Sequence, residues 1–492
     1  MPPQATYLFK HALLQDAAYG TLLRDRRQQL HARIATTLES RFPEIAATDP
    51  AILAQHCAEA SLAEKAVNYR LKAGQQAVAR SAMREAASQL KKGLDLLRNS
   101  ADDTWRWQQE LDLQITLGQA LIATQGYWAP EVGETYARAH QLCQQLNWPP
   151  QFVGVLYGQC EYHLCLREDL ALAHQLADEL LALGEAKNNE AIKQIGHHLR
   201  GAVRMWFGNL VAGREDYEQS LRLHAPAHEA LVGSVMAEDP RVAALISVSS
   251  ALSYLGYTDQ ARAKDVEALA MANQLGHAYQ RVFALGLFFC NWTVQPVEDL
   301  LKRAEAVLAL STEHGFPMFQ VLATVVRGWC VASLGHPDEG IAQLQQGVTA
   351  WRSSGAEIGI PMFLTFLADA YGRARRPDEG LEQLADAARS MEVRNERIYE
   401  AEIHRVQGEL PHSMQKVSAA EDSFSKGLAV ARRQSAKLFE LRAAISLARL
   451  WRSQGKPRQA REPLAPVYGW FTEGFDTLDL KEAKALLNEL GA

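Results

Sequence analysis

A small residue returns every 40 positions in the C-terminal part of this 492-residue chain: Gly340, Gly380, Ala420 and Ala460. Each is followed four residues later by a bulky apolar residue, Leu344, Leu384, Phe424 or Leu464. Each is preceded twelve residues upstream by a second small residue, Gly328, Ala368, Gly408 or Ala448. Two units share the wording Pro-Asp-Glu-Gly, at Pro337 to Gly340 and at Pro377 to Gly380. A fixed period of this size narrows the possible folds sharply. One recurring unit must bury its apolar face against the next copy, so the chain is expected to be all-α, a helical solenoid rather than a globule built round a catalytic cleft. The period also lifts the size limit of a single core, because each repeat buries surface only against its neighbours.

The last repeat shows the grammar. Leu438, Leu441, Ile445, Leu447 and Ala448 carry an amphipathic helix through Trp451. Gly455 ends it, since glycine accepts the left-handed conformation of a helix C-terminus. Pro457 opens the next helix, where its missing N–H costs nothing. Ala448 and Ala460 let the two helices approach, and Trp451 and Leu464 fill the space around the contact. This is the tetratricopeptide pattern; a HEAT-like repeat also has a period near 40, but the small pair twelve apart favours the former. The period exceeds the usual repeat of about 34, so the helices are longer by about one or two turns. The same pattern runs back through Leu367-Ala368 to Gly380, Gly256 to Ala268, Gly201 to Tyr217, Glu161 to Ala177, Gly118 to Tyr136 and Gly74 to Leu90. The expected division is a helical segment over 1–48 (helices Tyr7–Leu23 and Asp25–Phe42), then a right-handed superhelix of about 10–11 helix pairs over 49–475 whose first helix is capped by Asp49 before Pro50, and a capping helix over 476–492.

The formal net charge of −6 gives no basic surface to displace counterions, so no nucleic-acid partner is expected. Cys57, Cys143, Cys160, Cys165, Cys290 and Cys330 include no C-x-x-C pair and imply a reducing compartment without disulfides. Met1 to Thr6 has no signal-peptide character, and the most apolar stretch, Val282–Val294, is too short to span a bilayer. The expectation is a cytoplasmic protein with no membrane partner.

Site chemistry is sparse. The one Gly-Lys, Gly455-Lys456, is followed by Pro457 and lacks the phosphate-loop spacing; G-x-S-x-G, G-x-G-x-x-G and H-E-x-x-H do not occur. His224 and His228 flank Pro226, which breaks the helix that would align them as ligands. His197 and His198 are expected to split between an exposed and a buried face. Cys160 and Cys165 fall on different sides of a helix, and Arg24-Asp25-Arg26-Arg27 reads as a solvated helix start. No catalytic residue, cofactor site or metal site is expected, and the chain reads as non-enzymatic.

In a tetratricopeptide array the first helix of each pair lines the concave groove. That register puts Trp206, Tyr254, Trp329, Phe366, Asp369, Arg373, Arg405, Glu409, Arg442, Arg449 and Arg452 on or near the groove. The arginines fit an acidic peptide or the acidic face of a neighbouring domain through bidentate pairing, or they pair with Glu402 and Glu409 of the same chain.

The run Phe9-Lys10-His11-Ala12-Leu13-Leu14-Gln15-Asp16-Ala17-Ala18-Tyr19, with Leu22-Leu23, Arg27 and Leu30-His31, resembles a segment of large bacterial multidomain proteins. These join a class III adenylate or guanylate cyclase, a STAND/AAA-type ATPase and a tetratricopeptide tail, and the segment lies just after the ATPase. Leu53-Ala54-Gln55-His56 and Ala73-Gly74 continue the likeness, as do Ala420-Glu421, Gln434 to Lys437 and Tyr468-Gly469-Trp470-Phe471-Thr472-Glu473-Gly474-Phe475. It spans nearly the whole chain. The resemblance implies a sensory or regulatory tail, with cyclase and ATPase domains upstream of Met1 and no catalytic residue to carry over. It also implies a possible partner in a separately encoded ATPase or cyclase chain. An alternative is the regulatory arm of a STAND-type transcriptional regulator, although no DNA-binding unit follows residue 475.

Overall fold

The computed structural model describes residue 19 and residues 21–98, 103–166, 170–286 and 295–491, with backbone only at 229, 230 and 234. Among the described residues every regular element is a helix. In chain order these are α1 (Arg24–Arg41), α2 (Pro43–Thr48), α3 (Pro50–Glu59), α4 (Ala63–Ala79), α5 (Met83–Leu97), α6 (Thr104–Gln125), α7 (Pro130–Gln145), α8 (Phe152–Cys165) and α9 (Leu170–Ala186). Then follow α10 (Glu190–Trp206), α11 (Leu210–Leu223), a 3-10 turn at Pro226–His228, α12 (Glu229–Val235), α13 (Pro240–Leu255), α14 (Thr258–Leu275), α15 (Ala278–Gly286) and α16 (Val297–His314). The last nine are α17 (Pro317–Ser333), α18 (Pro337–Ser353), α19 (Ile360–Arg373), α20 (Pro377–Arg394), α21 (Glu400–Ser413), α22 (Val417–Arg433), α23 (Lys437–Ser453), α24 (Pro457–Trp470) and α25 (Leu478–Gly491). The chain is an α-solenoid of antiparallel helix pairs.

The small residues sit where the two helices of a pair cross. A Cβ placed on Gly340 in α18 would lie 2.5 Å from the Gly328 carbonyl oxygen of α17. One on Gly408 in α21 would lie 2.5 Å from the Phe424 ring of α22. Ala448 and Ala460 at the α23–α24 crossing are fully buried. The helix ends carry a second, shorter rhythm. Positive φ recurs at Gly315, Gly335, Gly355, Arg375, Asn395, Gln415, Ser435 and Gly455, one left-handed residue every 20 positions. Each 40-residue repeat is thus two half-units, each closed by a left-handed turn.

The chain divides into two compact units. The smaller comprises residues 1–117 and 141–149. In it Ala35, Cys57 and Ala66 form a core under Tyr69 and Leu96, and Gly74 of α4 lies under Leu90 of α5. The expected cap at Asp49 is corrected here: Asp49 occupies the N-cap of α3, but its side chain makes no capping hydrogen bond. Asp49 also ends α2, where its N–H donates to the Ile45 carbonyl. Most of the expected helix Tyr7–Leu23, including the Phe9–Ala18 motif, lies outside the described residues, as does Cys290. Residues 21–23 precede α1 without joining a helix.

The larger unit comprises residues 118–140 and 150–492. Within it, helices far apart in sequence touch. Arg394 donates to the Leu164 carbonyl at 2.7 Å, and the Arg397 N–H donates to the Trp206 carbonyl at 2.7 Å. Tyr254 of α13 packs on Tyr399 and on Phe439 of α23, with ring centroids 6.2 and 5.3 Å apart. The connector between α24 and α25 closes on α14: the Glu473 carboxylate accepts from the Asp259 and Gln260 N–H groups at 3.0 and 3.1 Å, and Arg262 pairs with Asp476 at 2.8 Å. At the C-terminal end α25 buries Leu480, Ala483 and Leu486 against Leu464, Val467 and Phe471. No helix among the described residues is long and apolar enough to cross a membrane.

Candidate functional site

A groove and a cavity of the larger unit each gather polar side chains. The first is a groove of about 450 Å3 across the first helices α17, α19, α21 and α23. It brings together Trp329, Phe366, Asp369, Arg373, Arg405, Glu409, Arg442 and Arg449 of the residues singled out in the sequence. Arg452 stands outside that lining. Trp206 and Tyr254 face the other cavity described below.

The groove is a lattice of paired charges. The Arg405 guanidinium holds Glu402 through two hydrogen bonds of 2.7 and 3.0 Å and reaches Glu409 at 3.3 Å. Arg442 approaches the same Glu402 at 3.2 Å, and Ser446 donates to Glu409 at 2.6 Å. Burial alone would raise the Glu402 carboxyl, but Arg405 and Arg442 outweigh it and hold it below the ordinary range. Asp369 accepts from Trp329 Nε1 at 3.3 Å and from Arg373 at 2.9 Å, while Trp329 packs on Phe366. The outer arginines meet α25: Arg442 lies 3.9 Å from Asp479, Arg449 pairs with Glu482, and Arg452 pairs with Glu489. Every arginine singled out in the sequence thus has a carboxylate of the same chain beside it. The acidic segment seated against the outer ones is the chain's own last helix.

The second region is a cavity of about 190 Å3 with aromatic walls that include Trp128, Trp206, Trp351, Tyr254 and Tyr399. Trp128 and Trp351 pack with centroids 4.5 Å apart. Two carboxylates enter it. Glu238 precedes the capping residue of α13: Asp239 accepts from the Arg241 and Val242 N–H groups at 3.0 Å, which leaves Glu238 pointing inward. Tyr157 and Tyr127 donate to its two oxygens at 2.7 and 3.2 Å. Burial raises the Glu238 carboxyl despite these donors. Glu161 of α8 is 9% exposed, with no lysine or arginine among the described residues lining the cavity. Burial, then the charge of Glu238, pushes Glu161 up to about 8. His198 also lines the cavity; burial lowers it to about 4, and its Nδ1 has no partner. The Trp128 indole N–H is likewise unpartnered.

Sequence reasoning placed Glu161 in the repeat register and passed over Glu238. The available signal was an acid inside the apolar run Phe152–Cys165, and an acid ahead of Asp239-Pro240 that the cap does not need. His197, next to His198, is half-buried and bonds Asp216 at 2.8 Å. Cys57, Cys143, Cys160, Cys165 and Cys330 are buried free thiols. Among the described residues no three His, Cys, Asp or Glu side chains gather as a metal site.

No family model matches the chain. An uncharacterised protein of Rhizobium meliloti (strain 1021) is 24% identical over 476 residues, covering 94% of this chain; the chain spans 44% of that relative's length. Among solved structures, a Rap protein complexed with competence and sporulation factor has a TM-score of 0.45 at 13% identity, covering 87% of this chain and 99% of that one. The apo form of the quorum sensor NprR from B. thuringiensis has a TM-score of 0.43 at 11% identity, covering 74% and 97%. The APC/C hetero-tetramer Cut9–Hcn1 has a TM-score of 0.38 at 12% identity, covering 98% and 99%.

Proposed function

We propose that this chain is a non-enzymatic, cytoplasmic protein-interaction module whose groove across α17, α19, α21 and α23 takes a protein or peptide segment. On the resemblance of its sequence, it serves as the sensory or regulatory tail of a signalling ATPase or nucleotide cyclase, in the same polypeptide or a separate one. The observation that carries the groove reading is the seating of α25. Arg449 and Arg452, each with a side chain about half exposed, already hold an acidic helical segment through Glu482 and Glu489. Exposed ion pairs of this kind are worth little each and exchange readily, so an acidic segment of a partner can compete for the same arginines. The relative's greater length supports the role as one part of a larger protein.

The test is a photo-crosslinker at position 373, introduced in native cytoplasm, with mass spectrometry of the products. The double variant Arg449→Glu/Arg452→Glu is expected to lose most of the crosslinked partner. The same products in the same yield from both chains would remove the groove reading. Cyclic nucleotide made from ATP by the purified chain would remove the non-enzymatic one.

A further inference from the structure

The aromatic cavity holds two buried carboxylates and no lysine or arginine among its described lining residues. Its one basic side chain, His198, is neutral at pH 7 because burial lowers it. Glu161 is 9% exposed there, and two further buried polar atoms, His198 Nδ1 and Trp128 Nε1, have no hydrogen-bond partner. Two carboxylates buried on one cavity with no cation beside them must stay protonated or find a positive partner. Trp128, Trp206, Trp351, Tyr254 and Tyr399 make up much of the wall, and the negative quadrupole potential of aromatic rings favours a cation over an anion there. A cavity of about 190 Å3 is a little larger than an engineered apolar cavity of about 150 Å3 that takes benzene.

We propose that this cavity binds a small organic cation, an alkylammonium on a short apolar chain, with Glu161 as its counter-ion. Its N–H groups hydrogen-bond the Glu161 carboxylate, its charge lies against the aromatic faces, and its carbon chain replaces water on the apolar wall. Glu238 is a poorer counter-ion because two tyrosine hydroxyls already occupy its oxygens. This inference concerns a different cavity from the groove and does not depend on the partner proposed there.

Proton linkage gives the inference a signature. The titratable groups that bear on Glu161 are Glu238, Tyr127, Tyr136, Tyr157, Tyr279, Cys160 and Cys165, with the Arg394–Glu396 pair beyond Cys165. Burial pushes these phenols and thiols up, so they stay neutral through pH 8. Without a cation beside it Glu161 is protonated at pH 7, and a bound ammonium must expel that proton.

The experiment is calorimetric titration of the full chain with n-butylammonium, tetramethylammonium and n-butanol, in buffers of different ionisation enthalpy. n-Butylammonium is expected to bind with a Kd of about 1 mM or tighter. It should release close to one proton at pH 7, and its affinity should rise about tenfold per pH unit until Glu161 is ionised. Tetramethylammonium, which cannot donate a hydrogen bond, should bind more weakly, and n-butanol should not compete. Glu161→Gln should weaken n-butylammonium at least tenfold. Equal binding of n-butanol, unchanged affinity in Glu161→Gln, or no binding by any probe overturns the proposal. Proton release is read on the unaltered chain, so a variant that fails to fold leaves the test intact.

Discussion

The groove and the cavity belong to the same helical unit, yet they treat charge in opposite ways. In the groove every arginine has an internal carboxylate, and the buried Glu402 sits below its ordinary titration range because two guanidinium groups hold it. In the cavity Glu161 is as deeply placed but has no cation, and it sits far above that range. A buried charge without a partner costs several kcal/mol or takes up a proton. The density of charge along a sequence therefore says less about ligand binding than which charges the fold leaves unanswered. The arginine-rich stretch attracts attention in the sequence, but the Glu161 carboxylate, which the fold leaves without a cation, lies elsewhere.

The strongest way to break this contrast is Arg405→Ala. It leaves Glu402 buried with Arg442 as its remaining partner and Glu409 with Ser446. Removing one member of a buried pair costs about 3–5 kcal/mol, and urea denaturation should show a loss of that size. A loss below about 1 kcal/mol would mean that solvent already screens the groove and that its charges are not a closed lattice.

Glu161→Gln sharpens the contrast through its sign. The folded chain holds a proton on Glu161 up to about pH 8, whereas the unfolded chain loses it near 4.5. Stability linked to that proton is complete below about 4.5 and falls as pH rises toward 8. Glutamine removes the slope, so the variant should gain stability relative to the parent at pH 7, on the order of 3 kcal/mol at most. Glu402 behaves the opposite way: with its folded value lowered, its contribution is present at neutral pH and is lost in acid. Melting temperatures of the parent and Glu161→Gln from pH 5 to 9 should converge at the acidic end. Parallel curves would mean Glu161 is ionised throughout.

How much of this was legible depended on which physics each residue obeyed. The crossings at Gly328–Gly340, Gly408–Phe424 and Ala448–Ala460 could be read because backbone approach demands small residues at fixed spacing. The 20-residue rhythm of left-handed turns was half hidden. Gly335, Gly355 and Gly455 advertise it, but Arg375, Gln415 and Ser435 adopt the same conformation with a side chain, at a cost of about 1–2 kcal/mol each. The groove register followed from the repeat and gathered Trp329 through Arg449 on one face. The pairing of its arginines with Asp479, Glu482 and Glu489 did not follow, because where α25 docks depends on contacts across the array. The cavity was invisible for the same reason: Trp128 meets Trp351, and Glu161 meets Glu238, across long stretches of chain that no local pattern links.

The contact between the α24–α25 connector and α14 offers an intermediate test. Glu473 caps α14 by accepting from two N–H groups at its start. Glu473→Ala should cost about 1 kcal/mol, as the loss of a helix cap does. Hydrogen exchange should speed at the first turn of α14 and at α25 together. Faster exchange at α14 alone would separate the cap from the seating of α25 and weaken the idea that one segment serves both.

The smallest effect is expected at Arg452→Ala. Arg452 and Glu489 are each about half exposed, so their ion pair is screened by water and worth about 0–1 kcal/mol. Arg405, by contrast, has a side chain only 12% exposed against a Glu402 at 2%. If both substitutions destabilise equally, the groove has no inner and outer layer, and α25 is locked rather than exchangeable. If Arg452→Ala is neutral in stability while an added peptide of sequence 476–491 then competes more readily with α25, the outer arginines serve exchange and the inner ones serve the fold. That outcome divides the groove into a structural floor and a replaceable lid, with Arg442, which touches both Glu402 and Asp479, as the residue where the two meet.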